Sequence, residues 1–194
     1  PEYTSFGEKE IKLDGFFMCY AAPKDYLIEE PPCIENKFIT FGSLNNIYKI
    51  NNIVIEAWSQ ILIEDENFQF LMKYHGFSDP YVTENIRKEF LKYGVNSNQL
   101  TFLGKVSNEK HFLTYNKIDI ALDTFPYNGT TTTCESLWMS TPVISFKGDC
   151  HRSRVSHSIL NNLGLPELSA KSKKDYIGLI KELSKDKQRI INYK

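Results

Sequence analysis

The run from Asp123 to Glu135, Asp-Thr-Phe-Pro-Tyr-Asn-Gly-Thr-Thr-Thr-Thr-Cys-Glu, is the part of the sequence best equipped for chemistry. An apolar stretch, Ile118–Leu122, stops at Asp123, a Pro/Gly turn follows, and four threonines open a helix expected over Thr132–Met139. Unpaired N–H groups and hydroxyls at a helix start attract anions without a cationic side chain, and a diphosphate fits that description. A plainer reading also applies: Thr132-Thr133-Cys134-Glu135 matches a capping box, with Glu135 reaching back to the N-cap N–H. One cap needs one threonine, however, and there are four. Asn128-Gly129-Thr130 has the form of an N-glycosylation acceptor and is discounted because no secretory signal is visible.

Two more loops bear glycine and polar groups. Gly42-Ser-Leu-Asn-Asn-Ile-Tyr-Lys49 is neither G-x-G-x-x-G nor a P-loop, which removes support from a dinucleotide cofactor and from Walker-type ATP hydrolysis. It ends in Lys49, a cation able to neutralise a phosphate. Gly104–His111 offers Ser107 as an N-cap and sets His111 early on a helix, where a lone histidine is more often a surface residue than a ligand contact. Cys150 and His151 are adjacent, but Cys19, Cys33, Cys134 and Cys150 show no zinc spacing, so reduced thiols in or near a core and no metal site are expected.

These loops need a scaffold that brings them together. Short strands are expected at Phe38–Gly42, Phe68–Tyr74, Leu100–Leu103, Ile118–Leu122 and Pro142–Phe146. They alternate with helices at Ile53–Leu62, Tyr81–Tyr93, Asn108–Tyr115, Thr132–Met139, Val155–Leu163 and Lys173–Lys185, with Gly94 and Gly164 closing two of them. Such alternation predicts an α/β fold, an open Rossmann-like and mostly parallel sheet with helices on both faces over residues 38–194. In these sheets ligands bind where strands end and helices begin. Residues 1–37, rich in glycine, proline and aromatics without a period, are expected to form an arm leaning on something else. The basic tail from Lys171 reads as a solvated helix face.

A length of 194 residues suits one generous domain, and a net charge of −1 gives no global field for nucleic acid or an acidic membrane. No apolar run reaches the roughly 18–20 residues of a membrane span. With no signal peptide and no disulfide pattern, a cytoplasmic protein is expected. The start at Pro1 suggests a piece of something longer.

The run LDTFPYNGTTTTCESLWMSTPVIS, with ITFGSLNNIYKI and GKVSNEKHF before it and HRSRVSHSIL after it, resembles the nucleotide-sugar-binding lobe of the O-linked N-acetylglucosamine transferase and SPINDLY-type O-fucosyltransferase family. The resemblance runs from about Tyr3 to beyond Asp175, and Leu13–Tyr20 is similar to the segment linking the two catalytic lobes. It implies one lobe of a two-lobed (GT-B) inverting, metal-independent transferase that moves N-acetylglucosamine from UDP-GlcNAc to Ser/Thr of proteins. By motif, Lys49 would hold the diphosphate and assist the departing nucleotide, the only catalytic assignment. Thr130, Thr131 and Thr132 would wrap the same phosphates, with Asn46 beside them. Val106, Asn108 and His111 would line the base and ribose pocket, and Glu135 would accept ribose hydroxyls. No cofactor is implied beyond the substrate nucleotide sugar.

Acetylglucosamine transferases commonly show histidine where this chain has Thr130, aspartate at Glu135 and lysine at Asn108. The four-threonine form is closer to the SPINDLY type, so GDP-fucose is the alternative donor. A non-catalytic nucleotide-sugar-binding module is the reading from another class, and a sugar-nucleotide epimerase is a weaker enzyme alternative. The family's acceptor site and general base belong to an N-terminal lobe and superhelical repeats that have no counterpart in these residues. The isolated chain is therefore expected to bind nucleotide without turnover. His151 and His157 are expected on a helix face at the lobe interface rather than as bases.

Overall fold

The computed structural model describes residues 15–194. Six parallel strands form one sheet: β1 (Thr40–Ser43), β2 (Gln69–Lys73), β3 (Leu100–Leu103), β4 (Ile120–Leu122), β5 (Val143–Phe146) and β6 (Ser169–Ala170). Their spatial order is β3-β2-β1-β4-β5-β6, the doubly wound arrangement. Register is set by pairs such as Phe41 with Phe70 and Gly42 with Ala121. Strands buried on both faces read as apolar runs, which is why Ile120–Leu122 and Val143–Ile144 lack alternation.

Helices α1 (Asn52–Leu62), α2 (Pro80–Leu91), α6 (Lys173–Ser184) and α7 (Lys187–Tyr193) accompany the larger core. There Trp58, Phe41, Phe70, Phe90 and Tyr176 pack with Ile120 and Ile144. The opposite face carries α3 (Asn108–Leu113), α4 (Thr131–Trp138) and α5 (Val155–Asn162). Leu44, Leu71, Phe112, Tyr115, Ile118 and Met139 form its cluster, and Cys134, Val155 and Ile159 a smaller one. Gly94 (φ +83°) and Gly164 (φ +74°) follow α2 and α5, in a backbone region that glycine enters without a Cβ penalty.

Differences from the expected elements concentrate at the ends of the chain. β6 is only two residues long, too short for any period to register, and α7 was not anticipated. The basic tail is not simply solvated: α6 buries Tyr176, Ile180 and Leu183, α7 buries Ile190, and Lys187 donates to the Cys33 carbonyl at 2.7 Å. The expected arm falls partly outside the described residues, including its residues 1–14. Residues 15–37 hold one 3₁₀ turn, Pro32–Ile34, and lie against the lobe. Buried Cys33 donates its N–H to Asp119 Oδ1 at 2.8 Å, Tyr26 stacks on Phe112 with ring centroids 4.4 Å apart, and Asn116 Nδ2 donates to the Leu27 carbonyl.

Candidate functional site

Strand order reverses between β1 and β4, so the loops leaving these two strands diverge and open a crevice between them. The first loop is built by asparagines. Asn46 accepts from the Tyr48 N–H and caps a 3₁₀ turn, Ile47–Lys49. Asn51 caps α1 through the Ile53 and Val54 N–H groups, while its Nδ2 donates to the Phe125 carbonyl at 2.9 Å, fastening this loop to the second. Lys49 crosses the crevice: Nζ donates to the Asn128 carbonyl at 2.8 Å and lies 4.3 Å from the centre of the Tyr127 ring. Burial draws the Lys49 ammonium below its ordinary pKa, opposed in part by the Asp123 carboxylate.

Asp123 organises the second loop. Its Oδ1 accepts from the N–H groups of Thr124 (2.9 Å) and Gly129 (2.6 Å), and its Oδ2 accepts from Ser145 Oγ at 2.7 Å. Burial pushes its pKa up even so, against these bonds. Tyr176 OH donates to the Asp123 carbonyl and accepts from Trp58 Nε1, tying the loop into the core. A Cβ at Gly129 would collide with Thr133 Oγ1 and stand 2.9 Å from Thr132 Oγ1, so the close turn requires glycine. Asn128 is fully buried, with Nδ2 donating to the Thr124 carbonyl, which closes the sequon to any modifying enzyme acting on the folded chain.

The helix after this loop starts one residue earlier than expected, and the capping box does not form. Thr130 is the N-cap, but its backbone (φ −128°, ψ −83°) is not extended and its side chain caps nothing. Glu135 therefore lies beyond the third helical position and cannot turn back to the N-cap. Thr131 is exposed. Thr132 Oγ1 donates to Asn45 Oδ1 at 2.9 Å, and Thr133 shares a 2.9 Å hydrogen bond with Ser156. The first turn of α4 thus carries no acidic residue, and it follows directly on the loop whose Asn128 carbonyl holds the Lys49 ammonium.

Glu135 points its carboxylate at α3 instead. His111 Nε2 lies 2.9 Å from Glu135 Oε2, His111 Nδ1 lies 2.9 Å from Lys73 Nζ, and Tyr115 OH reaches the same carboxylate oxygen at 3.3 Å. His111 is thus no stray surface histidine. Ser107 caps α3 as expected, through the Lys110 N–H at 3.3 Å. Half-buried Val106 and exposed Asn108 flank it at the exit of β3.

Of the expected site residues, the structure brings Lys49 to Asn128, two residues before the Thr130 N-cap of α4, and His111 to Glu135. Val106 and Asn108 stand on the rim beside His111. Asn46 serves its own turn, and its buried neighbour Asn45 makes the contact to α4. Asn45, Lys73 and Tyr115 were missed. Lys73 carried a usable signal, since it ends a strand on the side where ligands bind. His157 is held by Ser169 Oγ and Asn161 Nδ2, and exposed His151 lies edge-on to Phe17. Among the described residues no group of three or more His, Cys, Asp or Glu is arranged to hold a metal. No helix there is long and apolar enough to cross a membrane.

Comparison with known proteins agrees with this fold. The chain is 38% identical over 191 residues to a probable UDP-N-acetylglucosamine–peptide N-acetylglucosaminyltransferase SPINDLY of Eustoma exaltatum subsp. russellianum, covering 95% of this chain and 20% of that protein. It is 31% identical over 156 residues to a UDP-N-acetylglucosamine–peptide N-acetylglucosaminyltransferase of Caenorhabditis elegans, covering 79% of this chain and 13% of that one. The chain therefore spans about a fifth or less of these relatives. A mutant O-GlcNAc transferase of Thermobaculum terrenum superposes with a TM-score of 0.81 at 30% identity, over 88% of this chain and 33% of that one. A putative UDP-N-acetylglucosamine 2-epimerase from Listeria monocytogenes, at 13% identity and a TM-score of 0.54, shares the fold alone. The glycosyl transferase family 41 model matches residues 31–194, and the chain belongs to that family.

Proposed function

We propose that this chain is the donor-binding lobe of an inverting, metal-independent protein O-glycosyltransferase that transfers N-acetylglucosamine from UDP-GlcNAc to Ser/Thr of proteins. The observation that carries the reading is that the half-buried Lys49 ammonium is held across the switch-point crevice on the Asn128 carbonyl, two residues before the uncapped start of α4. The SPINDLY, nematode and Thermobaculum relatives, named for N-acetylglucosamine transfer, support the donor and the acceptor class.

In this reaction the acceptor oxygen attacks the anomeric carbon from the face opposite the nucleotide. The bond from that carbon to the diphosphate oxygen breaks, and the nucleoside diphosphate leaves with the electron pair. Its growing charge meets Lys49, the first-turn N–H groups of α4 and the hydroxyls of Thr130 and Thr131. A cation and a helix start in this position take the part that a divalent metal plays elsewhere. The acceptor's proton goes to a base outside this lobe, in the remainder of the whole protein. Asn46 lies beside the phosphates, Val106, Asn108 and His111 border the nucleoside, and Glu135 accepts from its ribose.

The test is incubation of the full-length protein, with and without Lys49→Met, with sugar-labelled UDP-GlcNAc and an acceptor lysate. Protein-bound label that the substitution abolishes is expected. Label found only in an altered free sugar nucleotide would overturn the reading in favour of an epimerase, and label retained in the variant would remove Lys49 from it. Transfer from GDP-fucose alone would change the donor.

A further inference from the structure

Lys73 ends β2, and its Nζ lies 2.9 Å from His111 Nδ1. An ammonium has only protons to offer, so Nδ1 must present its lone pair. The ring proton then sits on Nε2, which donates to Glu135 Oε2 at 2.9 Å. Tyr115 OH approaches the same oxygen at 3.3 Å and the Thr132 carbonyl at 3.2 Å. Burial pushes the Tyr115 phenol well above its ordinary pKa, so it remains a donor. The His111 and Glu135 side chains are 17% and 14% exposed, enough to be reached by a ligand but not to move freely. Among the described residues, Lys73 from β2, Glu135 from α4 and Tyr115 from the turn after α3 join the ring in one hydrogen-bonded cluster, and Tyr20 and Cys134 stand within reach of the Glu135 charge.

We propose that Lys73 is a positioning residue: by occupying the lone pair of His111 Nδ1 it keeps the imidazole singly protonated at Nε2. Glu135 Oε2 is thereby committed to a neutral donor, and Oε1 stays available as a charged acceptor for the ribose hydroxyls of the donor nucleotide. Without Lys73, Nδ1 is free to take a second proton. The ring then becomes an imidazolium paired with the carboxylate, whose charge is no longer reserved for the ligand. The part concerning ribose rests on the donor-lobe reading above, whereas the state of the ring does not.

Two measurements separate these parts. Nitrogen-15 spectra of histidine-labelled protein at neutral pH, without ligand, are expected to show His111 with a bare Nδ1 and a protonated Nε2. Lys73→Met is expected to add the Nδ1 proton, and Lys73→Arg, which also has only protons to give, to retain the original pattern. A protonated Nδ1 in the unaltered protein, or a ring unchanged in Lys73→Met, would overturn the proposal. Titration with UDP is expected to show about a tenfold weaker affinity in Lys73→Met. That loss should disappear when 2′,3′-dideoxy-UDP is the probe. Equal losses for both nucleotides would contradict the ribose assignment. Failure of the unaltered protein to bind UDP would count against the donor-lobe reading, leaving the spectra to decide the role of Lys73.

Discussion

A single lysine decides the character of the crevice. Lys49 is held on the Asn128 carbonyl, and its burial makes the charged form costlier than it is in water. A bound diphosphate favours the protonated ammonium, so binding raises the depressed pKa and takes up protons when the pH approaches it. Nucleotide affinity is accordingly expected to fall as pH rises through the depressed value, sooner than an ordinary lysine would allow, and Lys49→Met should flatten that part of the profile. Calorimetry in buffers of different ionisation enthalpy checks this, and an unchanged alkaline limb in the variant would contradict it. Asp123 has the opposite task, structural and buried. Asp123→Ala removes the acceptor for Thr124, Gly129 and Ser145, and a loss of roughly 3 kcal/mol or more in denaturant unfolding is expected. Lys49 and the threonines were legible in the sequence because type and place in a loop suffice to mark them. Lys73 offered only its place at a strand end, and Asn45 offered no mark, because their roles depend on α3 and α4 lying across the sheet from them.

At the scale of elements, α4 is left uncapped and free of acidic residues in its first turn. An acidic residue there would favour the helix dipole, so Thr131→Asp is expected to stabilise the lobe by about 0.3–1 kcal/mol. The same charge should repel a diphosphate and weaken UDP binding. Opposite signs in thermal unfolding and in titration check the assignment, and unchanged binding would move the phosphates elsewhere. The capping-box reading failed because the N-cap is Thr130 rather than Thr132, a two-residue difference that propensity does not resolve. Strands β1–β5 were legible as short apolar runs, and helices α1–α6 because burial on one face leaves a period. β6 has two residues, and α7 buries Ile190 alone, so neither leaves one.

Over the whole molecule, the doubly wound order places every expected site residue on the carboxyl side of the sheet, and alternation in the sequence sufficed to foresee that. Phe16 and Tyr20 line a hollow of about 340 Å³ with Cys134, Leu137 and Ile159, and Trp138 and Leu163 stand at it 44% and 57% exposed. An apolar patch of this kind favours association. Sedimentation velocity of the isolated chain is expected to show concentration-dependent self-association that Trp138→Glu reduces, and a sharp monomer at high concentration would contradict it. The central claim, a crevice built for a uridine diphosphate, is tested most directly by calorimetric titration of this chain with UDP and separately with GDP, repeated on Lys49→Ala. Selective UDP binding, weakened in the variant by about 1.5–3 kcal/mol for the lost charged contact, is the predicted result. Selective GDP binding, or UDP binding indifferent to Lys49, would contradict it.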